Sequence, residues 1–254
     1  MRRKLLNAYA VLVYFFLYAP IAVLILFSFN RSRLNATWTG FTLEWYGKLL
    51  HDRPIMEATG NTLLVALVAT LASTVIGTAA ALAMHRFRFW GKRVIEAVLY
   101  IPIVIPEIVM GVSLLALYVM LGMHLGLGTI IIAHIAFSIS FVTVTVRARL
   151  HGFNMQLEEA AADLGANGWT TFRLVTFPLI LPGILSGALL AMTLSLDDFV
   201  ITFFTAGPGS TTLPLRIYSM LKLAVTPEVN ALSTVLFGVT LLLVALSRRL
   251  QKNI

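Results

Sequence analysis

Residues 158–178 read EEAAADLGANGWTTFRLVTFP, and this stretch has the punctuation of two short helices. Asn154, just before it, can cap the first helix and bring both glutamates to its positive end. Gly165 can end that helix in a left-handed conformation, and Asn167 can cap the second helix. Spacing alone leaves two interpretations open: an ordinary loop with two surface helices, or a docking knob for a cytoplasmic protein.

The second short helix carries an apolar face. Trp169, Phe172 and Val175 recur every three residues, which places them on one side of a helix. Pro178 and Pro182 follow, and proline is well tolerated in the first turn of a helix. We therefore expect a membrane helix to begin at these prolines.

The composition indicates an integral membrane protein. Hydrophobic residues make up 59% of the 254 residues, charged residues only 12%, and mean hydropathy is +0.89. A soluble domain averages about 25% charged residues. There is no cysteine, and the five histidines lack metal-ligand spacing, so we expect neither disulfides nor a metal site. The net charge of +8 suits basic cytoplasmic loops better than nucleic-acid binding.

Apolar segments long enough to cross a bilayer occur six times, and no β-barrel alternation is present. A bilayer core of about 30 Å needs roughly 20 helical residues. The prediction is therefore a single all-α membrane domain over residues 1–254. Its six membrane helices are predicted at 8–29, 61–85, 94–121, 127–147, 179–204 and 229–247.

Basic residues predict the orientation. With the N-terminus inside, thirteen Lys and Arg residues fall in cytoplasmic segments and six in outer connections. This excess places both termini and the loop 150–177 in the cytoplasm. The long connections 30–60 and 205–228 then lie outside, the second with a short amphipathic stretch at 215–223. Their aromatic residues suit interfacial anchoring, and their length equally suits contact with a partner protein.

Three carboxylates stand inside the predicted spans. Asp197 and Asp198 lie in LSLDDFVITFF, and Glu107 lies in YIPIVIPEIVMG between Pro106 and Gly111. Pro102 and Pro106, which precede Glu107, are expected to kink the helix. Each acid costs about 2.5–3.5 kcal/mol at the centre of a membrane helix on insertion scales. Rises of about 20 Å to Glu107 and 27 Å to Asp197 along straight helices put the acids beyond the midplane, toward the outside.

No Lys or Arg lies in the central part of any predicted span, so a cationic substrate is the expected source of positive charge. Adjacent helical positions point about 100° apart. We therefore expect one of Asp197 and Asp198 to face the pathway and the other to bond to a neighbouring helix or a partner. The alternative is structural, with protonated carboxyls bonded between helices. Ser195, Thr193 and Thr202 are expected to be helix-to-helix hydrogen bonders.

The cytoplasmic loop resembles the EAA loop of ABC-importer permeases. The pattern of that loop is E-A-A, three residues, glycine, nine residues and then I-x-L-P. Here Glu159-Ala160-Ala161 is followed after three residues by Gly165, and nine further residues lead to Val175. V-T-F-P stands where I-x-L-P is usual. The resemblance implies the fold of type I, binding-protein-dependent importer permeases. It also implies that this loop is the coupling helix that sits in a groove of the ATPase subunit.

A narrower resemblance is to the polyamine (spermidine/putrescine) transport family, in particular its second permease subunit or a putrescine-specific paralogue. It rests on several stretches between residues 17 and 232. The resemblance implies that Asp197, Asp198, Glu107 and Trp45 contact substrate. Polyamine permeases carry Asp where Glu107 stands, so the longer side chain bears on substrate choice. The stretches are LYAPIAVLILFSFN, FTLEWYGKLL, EEAAADLGA, LSLDDFVITFF, GPGSTTLPLRIYSM and TPEVNAL.

The expected partners are a second homologous permease, an ATPase dimer that binds ATP and Mg, and a periplasmic binding protein, in a bacterial inner membrane. No Gly-x-x-x-x-Gly-Lys-Ser/Thr motif occurs, so this chain is not expected to hydrolyse ATP or to be an enzyme. The alternatives are an importer for another cationic molecule, such as an opine, and an acid-lined cation channel or proton-coupled carrier. A membrane enzyme lacks a nucleophile here, and an anion permease should present cations instead of acids.

Overall fold

The computed structural model describes residues 2–32 and 37–252. Residues 33–36 of the predicted outer loop lie outside the described residues, as do Met1 and residues 253–254. The described residues fall into two compact units, one within 1–57 and 215–239 and one within 58–214 and 240–254. The three acids and the EAA loop all belong to the second unit.

The fold is all-α, as expected. Besides one isolated bridge between Asn30 and Phe41, the described residues form helices and connecting loops. The helices are α1 Arg2–Phe27, α2 Glu44–Leu49, α3 Arg53–Arg86, α4 Lys92–Val104, α5 Glu107–Met120, α6 Leu127–Leu150, α7 Gln156–Asp163, α8 Gly168–Thr171, a π-helical turn Phe172–Thr176, α9 Phe177–Asp197, α10 Val200–Thr205, α11 Leu213–Leu223 and α12 Pro227–Lys252.

Five helical stretches in the described residues are long and apolar enough to cross a membrane, and a bent pair makes a possible sixth. The second span is much longer than the predicted 61–85, because α3 covers Arg53–Arg86. The predicted amphipathic stretch 215–223 lies within α11.

The third predicted span, 94–121, is not one helix. It consists of α4 and α5, which meet at 113°. Ile105 takes an extended conformation (ψ 138°) because the ring of Pro106 disfavours the α conformation in the residue before it. Pro102 stays inside α4 without ending it. The expected rise of about 20 Å to Glu107 assumed a straight helix and therefore does not apply.

The fifth predicted span, 179–204, corresponds to two helices, α9 and α10. The first of these continues from the EAA loop through α8 and the π-helical turn, giving a 30-residue stretch Gly168–Asp197. Pro178 occupies the first turn of α9 as expected, but Pro182 lies inside the helix. At the other end, Asp198 is extended (ψ 123°) and separates α9 from the short α10.

Glycines allow the helices of the second unit to pack closely. A Cβ added to Gly183 of α9 would lie 2.8 Å from Cβ of Arg149 on α6, and one added to Gly77 of α3 would lie 2.8 Å from Cβ of Val142. Small residues at such crossings are the usual means of helix association in membranes. α6 is therefore the central helix against which α3 and α9 pack.

Candidate functional site

The two interrupted spans meet in the second unit. α5, which begins at Glu107, packs against α10, which follows Asp198. A Cβ on Gly111 would lie 2.7 Å from the ring of Phe204, so the two helices are in close contact. Met110 and Leu114 of α5 also pack on a buried cluster that includes Ile201 of α10. This packing brings all three acids to one region of the fold.

The carboxylate of Asp198 is fully engaged by the protein. Its Oδ2 accepts hydrogen bonds from the backbone N–H of Thr202 (2.8 Å) and from the Thr202 hydroxyl (2.7 Å), and Oδ1 accepts a longer bond from the N–H of Ile201 (3.3 Å). These are free N–H groups of the first turn of α10, so Asp198 caps that helix. The side chain is only 5% exposed.

His134 of α6 is the neighbouring-helix partner of Asp198. Its Nε2 lies 3.2 Å from Asp198 Oδ2 and 2.9 Å from Thr202 Oγ1, and its Nδ1 lies 2.7 Å from Ser195 Oγ. His134 was not predicted as a partner, because the histidines are scattered along the sequence and the only cations expected near the acids were Lys and Arg. The available signal was a lone ionisable residue within a predicted span, which is a functional or structural partner by default.

Asp197 and Glu107 differ from Asp198 in having exposed side chains. Within the described residues neither forms a salt bridge, although the Asp197 carboxylate lies within electrostatic range of both other acids. Two like charges near each other in an apolar setting raise the electrostatic free energy unless a cation joins them. The site is therefore suited to a cationic ligand.

The expected roles of the three hydroxyl residues hold for two of them. Ser195 and Thr202 bond to His134 on another helix. Thr193 instead donates to the Leu189 carbonyl of its own helix (2.8 Å), a common arrangement for threonine in helices. Thr193 is therefore not a helix-to-helix hydrogen bonder.

Trp45 has a structural environment in the first unit. The indole is 6% exposed, and its Nε1–H donates to the Asn30 carbonyl at 2.7 Å. Lys48 Nζ lies 4.6 Å from the ring centroid, which places a cation over the ring. The indole N–H is thus already used to fix the chain after α1. The role of Trp45 in substrate contact stays a prediction.

The EAA loop forms the expected helix pair, α7 and α8. Gly165 follows α7 with φ +85°, the left-handed conformation that glycine adopts without steric cost. The Asn167 side chain accepts from the N–H of Thr170 at 2.9 Å and caps α8. Asn154 was expected to cap α7, but it lies one residue before the N-cap position, which is Met155. Its side chain still accepts a hydrogen bond from the N–H of Gln156 at 3.0 Å.

Glu158 ties the loop to two membrane helices. Its carboxylate accepts from Arg86 at the end of α3 and from the hydroxyl of Thr176, just before α9. Arg86 also donates to Thr176 at 3.1 Å. The partly buried charges of Arg86 and Glu158 are therefore paired, which offsets the free-energy cost of removing them from water. A displacement of α7 would therefore be transmitted to both spans.

The remaining EAA residues are displayed on the surface. Glu159, Ala160 and Gly165 are exposed and Ala161 is half-buried. Leu164 is 90% exposed and Trp169 69% exposed, which is unusual for large apolar side chains. Exposed apolar groups next to small residues are typical of a protein interaction surface.

Comparison with known proteins identifies the family. Residues 73–254 match the family described as "Binding-protein-dependent transport system inner membrane component". The chain is 42% identical over 247 residues to the Haemophilus influenzae "Spermidine/putrescine transport system permease protein PotC", covering 97% of this chain and 96% of that protein. It is 43% identical over 230 residues to the Escherichia coli K12 "Putrescine transport system permease protein PotI", covering 88% and 82%.

A solved structure shows the same fold. The crystal structure of a bacterial ABC transporter involved in the import of alginate, an acidic polysaccharide, contains a chain similar to this one with a TM-score of 0.73. The two chains are 19% identical, and the match covers 98% of this chain and 96% of the other. The likeness in fold therefore extends over nearly the full length of both chains.

Proposed function

The chain belongs to the family of binding-protein-dependent inner-membrane transport components, and we propose that it is one permease subunit of an ATP-driven importer of polyamines. It is a multi-pass inner-membrane protein and a permease subunit, not an enzyme. The observation that carries the polyamine proposal is the pair of exposed carboxylates, Asp197 and Glu107, at the breaks of two packed spans.

The chemistry of the site matches a polyamine. Such a molecule is a methylene chain with protonated amines at its ends, so it needs separated carboxylates and apolar walls. Phe199 and Phe203 form a tilted ring pair with centroids 5.6 Å apart, shortly after the two aspartates. Aromatic faces attract alkylammonium groups and pack on methylenes. The similarity to permeases named for spermidine and putrescine supports the same substrate class.

Coupling to an ATPase follows from the loop. The exposed surface around Glu159, Ala160 and Gly165 would dock into a groove of the ATPase subunit, which binds ATP and Mg. Closure of an ATPase dimer would move α7, and the Glu158 contacts would carry the motion into α3 and α9. A second homologous permease would complete the pathway, and alternating access would follow from rocking the two bundles about the site.

The remaining assignments complete the proposal. A periplasmic binding protein would deliver substrate to the outer loops, and the excess of basic residues supports a cytoplasmic location for both termini. Membership of the importer family disfavours the channel and carrier alternatives. An importer for another cationic compound has no observation of its own in support.

Uptake of labelled spermidine and putrescine tests the proposal. Cells that lack their own polyamine import would express the chain with its partner subunits, unchanged or with Asp197→Asn or Glu107→Gln. We expect uptake by the unchanged chain and at least a tenfold loss in each variant, because a charge-assisted hydrogen bond contributes about 1.5–3 kcal/mol.

The control is assembly: co-purification of the partner subunits should be the same for the unchanged chain and for both site variants. Absence of polyamine uptake by the unchanged chain would refute the substrate class. Full uptake by both site variants, with normal assembly, would show that these carboxylates do not receive the ammonium groups.

A further inference from the structure

His134 holds three side chains on both sides of the break between α9 and α10. Ser195 lies in the last turn of α9, Asp198 is the extended residue of the break, and Thr202 lies in the first turns of α10. The ring itself belongs to another helix, α6, and is 3% exposed. One imidazole therefore fixes both helix ends against the centre of the unit.

The protons of this cluster can be assigned from its hydrogen bonds. The Thr202 hydroxyl has one proton, and it donates to Asp198 Oδ2 at 2.7 Å. Toward His134 Nε2 the Thr202 oxygen can only accept, and a carboxylate oxygen is also an acceptor. Nε2 must therefore carry a hydrogen, which is directed at Thr202 and Asp198. At Nδ1, the Ser195 hydroxyl can donate to a neutral ring or accept from a charged one.

This arrangement separates the two adjacent aspartates. Asp198 accepts hydrogen bonds from Ile201 and Thr202 and lies beside His134, and its side chain is only 5% exposed, so it is shielded from a substrate ammonium. Asp197, the last residue of α9, is exposed. The direction of its side chain depends on where α9 ends, and His134 holds that end through Ser195 and Asp198.

We propose that His134 is a positioning residue of the substrate site, which fixes the α9–α10 break so that Asp197 faces the cation. The inference rests on the proposed function, since it assigns a residue to the same site. His134 itself does not contact substrate. It supplies an N–H donor at the Nε2 position and thereby keeps Asp198 as the cap of α10.

Three replacements of His134 test this role. Glutamine can place a donor near the Nε2 position, asparagine can reach only toward the Nδ1 side, and leucine fills the space without any donor. We expect polyamine uptake per assembled complex to decrease in the order His, Gln, Asn, Leu, with Gln within about threefold of His and Leu at least tenfold lower. A residue that merely fills space would be replaced best by Leu, since an apolar side chain suits a buried position.

A second readout measures the geometry directly and does not need transport. This chain has no cysteine, so Asp197→Cys gives it a single thiol, and its labelling in the assembled complex is measured on this subunit after separation from its partners. The rate of its reaction with a small neutral thiol reagent should change at least threefold with His134→Leu and less than twofold with His134→Gln. Glu57→Cys is the matched control and should react at one rate in every background.

The outcomes distinguish the two proposals. If the unchanged chain imports no polyamine, the proposed function fails, while the labelling rates still test positioning. If uptake occurs but Gln, Asn and Leu are equivalent, or if Leu leaves the labelling of Asp197→Cys unchanged, the positioning role is wrong. If the Leu variant does not assemble, the comparison of the Gln and Asn variants becomes the test, and equal uptake by these two overturns the inference.

Discussion

Asp197 and Asp198 are adjacent and chemically identical, but the structure predicts opposite consequences for the same Asp→Asn change. Asp198 accepts four hydrogen bonds, from Ile201, twice from Thr202 and from His134. Asp197 is exposed and forms no salt bridge in the described part of the chain. We expect Asp198→Asn to lower the stability of the protein and Asp197→Asn to lower transport without lowering stability.

The magnitude follows from the contacts. In Asp198→Asn the amide oxygen can take the place of Oδ2 and keep three bonds, but each loses its charge assistance. Charge-assisted hydrogen bonds are worth about 1.5–3 kcal/mol and neutral ones about 0.5–1.5 kcal/mol, so roughly 1 kcal/mol is lost per bond. The amide nitrogen would also face the N–H of Ile201, two donors without an acceptor. The expected cost is about 3–4 kcal/mol.

For Asp197→Asn we expect a change within about 0.5 kcal/mol, the usual range for exposed substitutions. The measurement is the thermal midpoint of the purified permease complex in detergent. At about 2–4 °C per kcal/mol for a chain of this size, Asp198→Asn should lower the midpoint by about 6–16 °C and Asp197→Asn by no more than about 2 °C. Equal midpoints for the two variants, or a larger decrease for Asp197→Asn, would refute the assignment of Asp198 as the structural acid.

Three further predictions concern helix packing and the EAA loop. Gly77→Ala should cost about 1–3 kcal/mol, because its Cβ would meet the side chain of α6 at 2.8 Å, whereas Gly60→Ala on the same helix meets nothing within 4 Å and should not lower the thermal midpoint. Gly165→Ala should cost about 1–2 kcal/mol at φ +85° and reduce co-purification of the ATPase subunit; unchanged co-purification would contradict the docking role. Glu158→Gln removes the charge that pairs with Arg86 and should reduce uptake more than it reduces ATPase binding. A larger loss of ATPase binding than of uptake would show that Glu158 does not transmit motion from α7 to the spans.

The amino-acid sequence was sufficient for the class of fold and for the loop. Apolar run length and low charge predict membrane helices because unpaired backbone groups cannot be exposed to lipid. The ends of α7 and α8 were predictable because caps are local: Gly165 needs a left-handed conformation, and Asn167 bonds three residues ahead. Extended conformation at Ile105 likewise follows from the proline after it.

The angle between α4 and α5 and the position at which α9 ends were not predictable from neighbouring residues. A proline before Glu107 indicates an interruption, but the 113° between α4 and α5 depends on what each half packs against. Pro182 shows the converse, since a proline that could begin a helix lies inside one here. The interruption at Asp198 has no proline or glycine to mark it, and it is held by contacts to α6 and α10.

By itself, the sequence determined the all-α membrane fold, the EAA helix pair and the presence of three acids within the spans, because these depend on composition and on neighbours a few residues apart. Only the tertiary structure decided that Asp198 is enclosed while Asp197 is exposed. The bonds that hold the two ends of the break to α6 run from His134 to Ser195 and Thr202, which are 61 and 68 positions away in sequence. Hydrogen bonds over such separations exist only once α6, α9 and α10 have packed, and no local pattern encodes them.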